Sequence, residues 1–134
     1  MAVEPRAGER LTARDEHGAA ITATALDYFE GWFDGDVERM RRALHPALAK
    51  RALTDDGWTL NETSAEWMLA ATAKHLGRER DVPDRRITVE VVDVYGEIAT
   101  AIVRSAVYHE YLHLLRTSEG WRIVNALWQF RGQP

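Results

Sequence analysis

Residues 109–113 read His-Glu-Tyr-Leu-His, the spelling in which two imidazoles hold a zinc ion and the Glu serves as general base. That chemistry needs a helix, where residues four apart lie one turn from each other. The surrounding run, Ile98 to Leu115, is rich in Val, Ile, Tyr and Ala and holds neither Gly nor Pro, so it reads as extended chain. In a strand, His109 and His113 share a face but stand about 13 Å apart, too far for one zinc with ligands at roughly 2 Å. A helix over Ala106 to Arg116 would still lack a third ligand. No His follows His113, and Glu119 sits on a Gly-containing turn. No metal site is expected here.

Three polar residues remain as candidates. His45 stands just before Pro46 at the end of a helical segment, and an imidazole titrating near neutrality suits proton transfer. The same position also lets it cap the carbonyls of that helix end. His113 shares a strand face with His109 and Tyr111, as a pocket wall or as part of a subunit interface. Asn125, between Val124 and Ala126, needs hydrogen-bond partners once buried, and a ligand, His113 or a water can supply them. Strand alternation puts Asn125 and Trp128 on opposite faces, and sets Tyr108 with Arg104 and Ala106 against the His113 face. The two sets cannot both line a pocket, and the one holding His113 is expected to do so. The expected catalytic residues are therefore His45 and His113. Tyr28, Trp32, Trp58, Met68, Tyr111 and Asn125 are the expected ligand contacts, with Trp67 a further aromatic wall. Plain core packing is the competing account of the aromatic positions.

These residues need elements to hold them. Ile21, Ala25, Tyr28, Phe29, Trp32 and Phe33 recur at three- and four-residue steps and predict one long helix, broken by Asp34-Gly35-Asp36. Asp36 caps a second helix with Val37, Met40 and Leu44 as its stripe, ended by Pro46. Ala47 to Leu53 is ambiguous, a short helix or an irregular crossing, and Trp58 to Leu60 reads as a short strand. Thr63 or Ser64 caps a third helix closed by Gly77. Beyond the charged loop Arg78 to Arg86 the period changes. Ile87 to Val94, Ile98 to Leu115 and Trp121 to Phe130 predict a three- or four-stranded antiparallel meander. Apolar residues on both faces of the long strands predict that helices cover one face and a second subunit the other.

Composition narrows the class. The 134 residues suit a single domain, expected over 15–134 behind a mobile tail of residues 1–14. A net charge of −4 argues against a nucleic-acid partner. The absence of Cys removes disulfides and thiolate chemistry and fits the cytoplasm. No apolar run approaches the roughly 20 residues of a membrane span, and the N-terminus lacks the apolar stretch of a signal peptide.

Several phrases, in this order, resemble one family: Leu26-Asp27-Tyr28-Phe29-Glu30-Gly31-Trp32, Gly35-Asp36, Ala43-Leu44-His45-Pro46, Tyr111-Leu112-His113-Leu114 and Gly120 to Trp128. The chain is similar to the Putative lumazine-binding group of nuclear transport factor 2-like proteins, related to polyketide-cyclase-like and ketosteroid-isomerase-like domains. The resemblance implies an α+β cone, three N-terminal helices on a curved, mainly antiparallel sheet, with a pocket at the wide end. It also implies a homodimer through the outer sheet face. No cofactor is expected. The stretch after Pro46 offers Lys50, Arg51 and Thr54 before any acid, which departs from a steroid-isomerase site. The expected function is binding of a small aromatic or polyketide-like molecule. The alternative is a metal-free isomerase, dehydratase or cyclase working through histidine.

Overall fold

The computed structural model describes residues 12–132. Helix α1 spans Ala13–Asp34 and opens on a capping box, in which Thr12 and Asp15 each accept the other's backbone N–H. Gly35 closes it at φ 69°, a left-handed turn that glycine takes without a Cβ penalty. Asp36 accepts the Arg39 N–H at 3.1 Å and starts α2, Val37–Ala43. The tail expected over residues 1–14 falls outside the described residues except at its end, where Ala13 and Arg14 form the first turn of α1.

Strand β1, Leu44–Leu53, follows α2 directly, so the ambiguous stretch after Pro46 is sheet. Pro46 is tolerated because β1 departs from regular pairing between Leu44 and Ala49, where no ladder N–H is lost. Strand β2, Leu60–Thr63, turns back on β1, and Ser64 then caps α3, Ala65–Ala73, through the Trp67 N–H. Gly77 does not close α3. Lys74 does, His75 takes the left-handed turn, and Gly77 lies in a short 3-10 turn, Leu76–Arg80. Its role is close approach. A Cβ on Gly77 would lie 2.1 Å from the Trp32 carbonyl oxygen, so a side chain there would push the 3-10 turn off α1.

Strands β3 (Thr88–Tyr95), β4 (Ile98–Arg104), β5 (Tyr108–Thr117) and β6 (Gly120–Phe130) form an antiparallel meander. The long extended run of the sequence is therefore two strands. Ser105 makes the turn without Gly or Pro: its hydroxyl accepts the N–H groups of Val107 and Tyr108 at 3.1 and 2.9 Å. The sheet has six strands in the order β2-β1-β6-β5-β4-β3, antiparallel except for the β1–β6 pair.

Three helices pack on one face of this sheet. Their apolar stripes (Ile21, Tyr28, Phe33, Met40, Met68) meet Val103, Leu112, Leu114 and Ile123 in one core. An irregularity in the β5–β6 register falls between His113 and Leu114. Trp121 and Ile123 face inward before it, Ala126 and Trp128 after it. Three acids on α1 are spent on ion pairs with arginines: Asp27 with Arg39 and Arg42, Glu30 with Arg39, and Asp34 with Arg85.

Candidate functional site

Between the helices and the β1–β6–β5 part of the sheet lies a cavity of about 300 Å³. Its walls are mostly aromatic and apolar, among them Tyr28, Trp32, Met68, Tyr108, Trp128 and Phe130. A cavity of that size and lining is at the small end of organic-ligand sites. Each wall residue arrives there by periodicity. Tyr28 and Trp32 are one turn apart on α1. Tyr108 and Glu110 alternate inward on β5, as Trp128 and Phe130 do on β6 and Lys50 on β1.

Two ionisable groups, Lys50 and Glu110, are buried in this apolar wall. β6 separates their strands, with Lys50 beside Ala126 and Glu110 beside Trp128. Tyr28 reaches across from α1 to join them: its hydroxyl donates to Glu110 Oε1 at 2.8 Å and accepts from Lys50 Nζ. The amine also stands 4.8 Å from the Tyr28 ring centre and 5.4 Å from that of Trp128. No carboxylate lies within ion-pair distance of Lys50 among the described residues; Tyr28 is the link.

Burial sets the protonation tendencies. It pushes the Glu110 carboxyl up, against the pull of Lys50 and of the Tyr28 hydrogen bond. Burial also pushes the Lys50 amine down, with the Glu110 charge opposing. The Tyr28 phenol is held far above its usual range by burial and then by the neighbouring Glu110 charge. Tyr108, Thr63, Asn61 and Arg80 add further polar groups to the lining. Tyr108 Oη accepts the Trp32 indole N–H at 3.0 Å, and its own proton meets no acceptor among the described residues. The Thr63 hydroxyl is buried without a partner among those residues. At the rim, the Arg80 guanidinium lies 4.5 Å from the centre of the Phe130 ring. The arrangement can exchange a proton between Glu110 and Lys50, and Tyr108 can donate to a ligand oxygen.

A family model described as Putative lumazine-binding matches residues 16–129. The chain belongs to that family. Solved structures similar to this family member show the same fold. A nuclear transport factor 2-like protein of unknown function from Silicibacter pomeroyi is 21% identical at TM-score 0.70, over 90% of this chain and 100% of its own. Another of the same description, from Shewanella baltica, is 17% identical at TM-score 0.70, over 92% of this chain and 100% of its own. A ketosteroid isomerase-like protein from Erwinia carotovora atroseptica is 16% identical at TM-score 0.64, over 89% and 99%. No curated protein matches this member of the lumazine-binding family. No described helix is long and apolar enough to cross a membrane.

Of the residues expected at the site, the structure brings Tyr28, Trp32 and Met68 together on the cavity wall, with Trp67 at its edge. The others stand elsewhere. His45 is at the start of β1, where Nδ1 accepts the Ala47 N–H at 3.0 Å, a local turn contact away from the cavity. His113, Tyr111 and Asn125 lie on the outer sheet face, and His113 Nδ1 lies 3.2 Å from Asn125 Nδ2 on the neighbouring strand. Trp58 is 89% exposed in the β1–β2 loop. The helices lie on the face opposite to the expected one. The helices cover the Tyr108–Glu110–Leu112–Leu114 side of β5, and alternation sends the histidines outward. His109 and His113 thus stand on a strand on the side opposite Glu110, and the described residues form no cluster able to hold a metal.

Sequence reasoning missed Glu110, Lys50 and Tyr108. The signal for Glu110 was its parity: an acid between Tyr108 and Leu112 points with them, not with the two histidines. Lys50 carried the same signal once β1 is read as a strand, since it alternates with Leu48 and Ala52.

Proposed function

We propose that the chain binds a small organic molecule with an apolar, ring-sized body and one oxygen function, enclosed between α1, α3 and the sheet. One observation carries this reading: a largely aromatic cavity of about 300 Å³ holds a few convergent polar groups, including the Tyr108 hydroxyl, whose proton meets no acceptor among the described residues. A buried polar group left unpaired costs about 1–3 kcal/mol, so a ligand oxygen seated there recovers energy as well as filling space. The probe 3-phenylpropan-1-ol tests it. In protein labelled at the methionine methyls, titration is expected to shift the Met68 resonance saturably while Met40, packed in the core, stays in place. A Met68 signal unmoved by this alcohol and by a series of aromatic and aliphatic alcohols and ketones overturns the reading.

Proton transfer on the bound molecule is a second reading, favoured by the Lys50–Tyr28–Glu110 chain. It replaces histidine with Glu110 as the acid–base group, because His45 and His113 stand away from the cavity. Matched, environment-shifted groups are what such catalysis uses. The reading places the protein in the cytoplasm, consistent with the absence of Cys.

A homodimer through the outer sheet face belongs to the same proposal. Leu53, Leu60, Tyr111 and Leu127 are each about half exposed there and line one shallow groove. Sedimentation velocity at micromolar concentration is expected to give a dimer that Leu127→Asp converts to a folded monomer. A monomeric wild-type protein would rule out the interface.

A further inference from the structure

We propose that Lys50 is a covalent site: its amine forms an imine with an aldehyde or ketone held in the cavity, with Tyr28 and Glu110 handling the protons. The proposal rests on the binding reading above and adds the chemical class of the ligand. Its basis is geometric. Lys50 is buried on the cavity wall, between the rings of Tyr28 and Trp128. Its one hydrogen-bond partner among the described residues is the Tyr28 hydroxyl, so the amine is held by a single contact on a residue that lines the cavity. A lysine kept only for charge pairing would be expected to touch its carboxylate. Here a phenol stands between the two.

That phenol makes the two ends exchangeable. In the charged arrangement, the Lys50 ammonium donates to Tyr28 and Tyr28 donates to Glu110. Shifting both protons one step along the chain leaves a neutral amine, an unchanged phenol and a neutral carboxylic acid. The total charge is zero in both arrangements, and burial of both ends favours the neutral one. A neutral amine is the nucleophile that imine formation requires.

The step balances within the chain's own groups. The Lys50 nitrogen lone pair attacks the carbonyl carbon and the C=O π pair moves to oxygen. That oxygen takes a proton from the nitrogen, giving a carbinolamine. The Glu110 proton, passed through Tyr28, then converts the hydroxyl to water, which leaves as the nitrogen lone pair closes the C=N bond. The products are a protonated imine on Lys50, a Glu110 carboxylate and one water. No oxidant, reductant or metal takes part. The new cation and the carboxylate keep the charge pairing that the empty site had.

Borohydride trapping tests this on the full chain. The probe is 3-phenylpropanal, the carbonyl counterpart of the alcohol used above. Lys50 and Lys74 are the only lysines in the sequence, and Lys74 is the exposed C-cap of α3, so competing amines are few. The expected result is one reduced adduct per chain, mapped by peptide mass spectrometry to Lys50, formed at least tenfold faster than any adduct on Lys74 or the N-terminal amine. Excess 3-phenylpropan-1-ol is expected to suppress it. Lys50→Arg keeps the cation but removes the nucleophile, and is expected to lose the adduct. Labelling confined to Lys74 and the N-terminus, in protein that binds the alcohol, overturns the imine proposal and leaves the binding reading standing. If the alcohol itself does not bind, the binding reading fails first. The wild-type mapping needs no variant, so a poorly folding Lys50→Arg does not remove the test.

Discussion

Lys50→Met is expected to lower the unfolding free energy by about 1–3 kcal/mol at neutral pH, and Glu110→Gln by a similar amount, because each leaves the other ionisable group buried without the partner that exchanges its proton and balances its charge. The two losses should not add. With both replaced, no charge is buried, and the amide introduced by Glu110→Gln still offers Tyr28 an oxygen to donate to. The double variant is expected within about 1 kcal/mol of the wild-type protein, since a buried pair replaced together by well-packed neutral groups is near neutral.

The pH dependence separates the two single variants more sharply. In Lys50→Met, Glu110 is the buried titrating group, and burial holds its folded pKa above the unfolded value. The folded state then binds more protons than the unfolded chain between those two values, so stability falls as pH rises through that window. The deficit is smallest in acid, below the ordinary carboxyl range, and largest above the folded value. In Glu110→Gln, Lys50 remains, with a folded pKa below that of a free lysine. The unfolded chain now binds more protons across the window between the folded and free values, and stability rises with pH. The deficit is largest on the acid side and shrinks toward the free-lysine range. Urea titrations between about pH 5 and pH 9 should therefore give slopes of opposite sign. Parallel slopes, or a double variant as damaged as the sum of the singles, would show that the two groups are not a coupled pair.

Why this pair was hard to see in the sequence, while the fold was plain, has a physical answer. Helix α1 announces itself because its six aromatic and aliphatic positions sit at helical steps and Gly35 follows. The three helices and the strands of the meander are local patterns of that kind. The β1–β6 pairing is not. It joins residues 44–53 to residues 120–130 in parallel, and nothing local distinguishes Ala47 to Leu53 as a strand until Asn125, Ala126 and Leu127 lie beside it. Lys50 reaches the cavity only through that pairing. Glu110 was hidden differently. β5 carries Tyr108, Leu112 and Leu114 on one face and His109, Tyr111 and His113 on the other, so both faces read as half-apolar and both hold titratable groups. Parity separates the two sets but does not say which one the helices cover. The hairpin at Ser105 compounded this, since it uses a serine hydroxyl where a Gly or Pro would have marked the turn. The cavity-wall candidates on α1 and α3, Tyr28, Trp32 and Met68, were legible because a helix has one buried face and they are on it.

Tyr28→Phe is the variant that tells a working relay from a wall. The substitution removes one oxygen and keeps the ring that packs against Phe29 and lies under the Lys50 amine. Stability is expected to fall by about 1–3 kcal/mol, the cost of leaving Glu110 and Lys50 without their buried hydrogen-bond partner. Binding of 3-phenylpropan-1-ol is expected to stay within a few-fold, since the cavity keeps its shape and the Tyr108 and Thr63 hydroxyls are untouched. The trapping rate with 3-phenylpropanal, in contrast, is expected to fall by about 10²–10⁴-fold, the usual worth of a positioned acid–base group. The proton that must leave Lys50 has no path to Glu110, and the carbinolamine oxygen has no path to an acid. A purely structural role for Tyr28 would move binding and trapping together. An unchanged trapping rate with normal alcohol binding would show that the phenol carries no proton, and that the Glu110–Tyr28–Lys50 chain serves the fold rather than the chemistry.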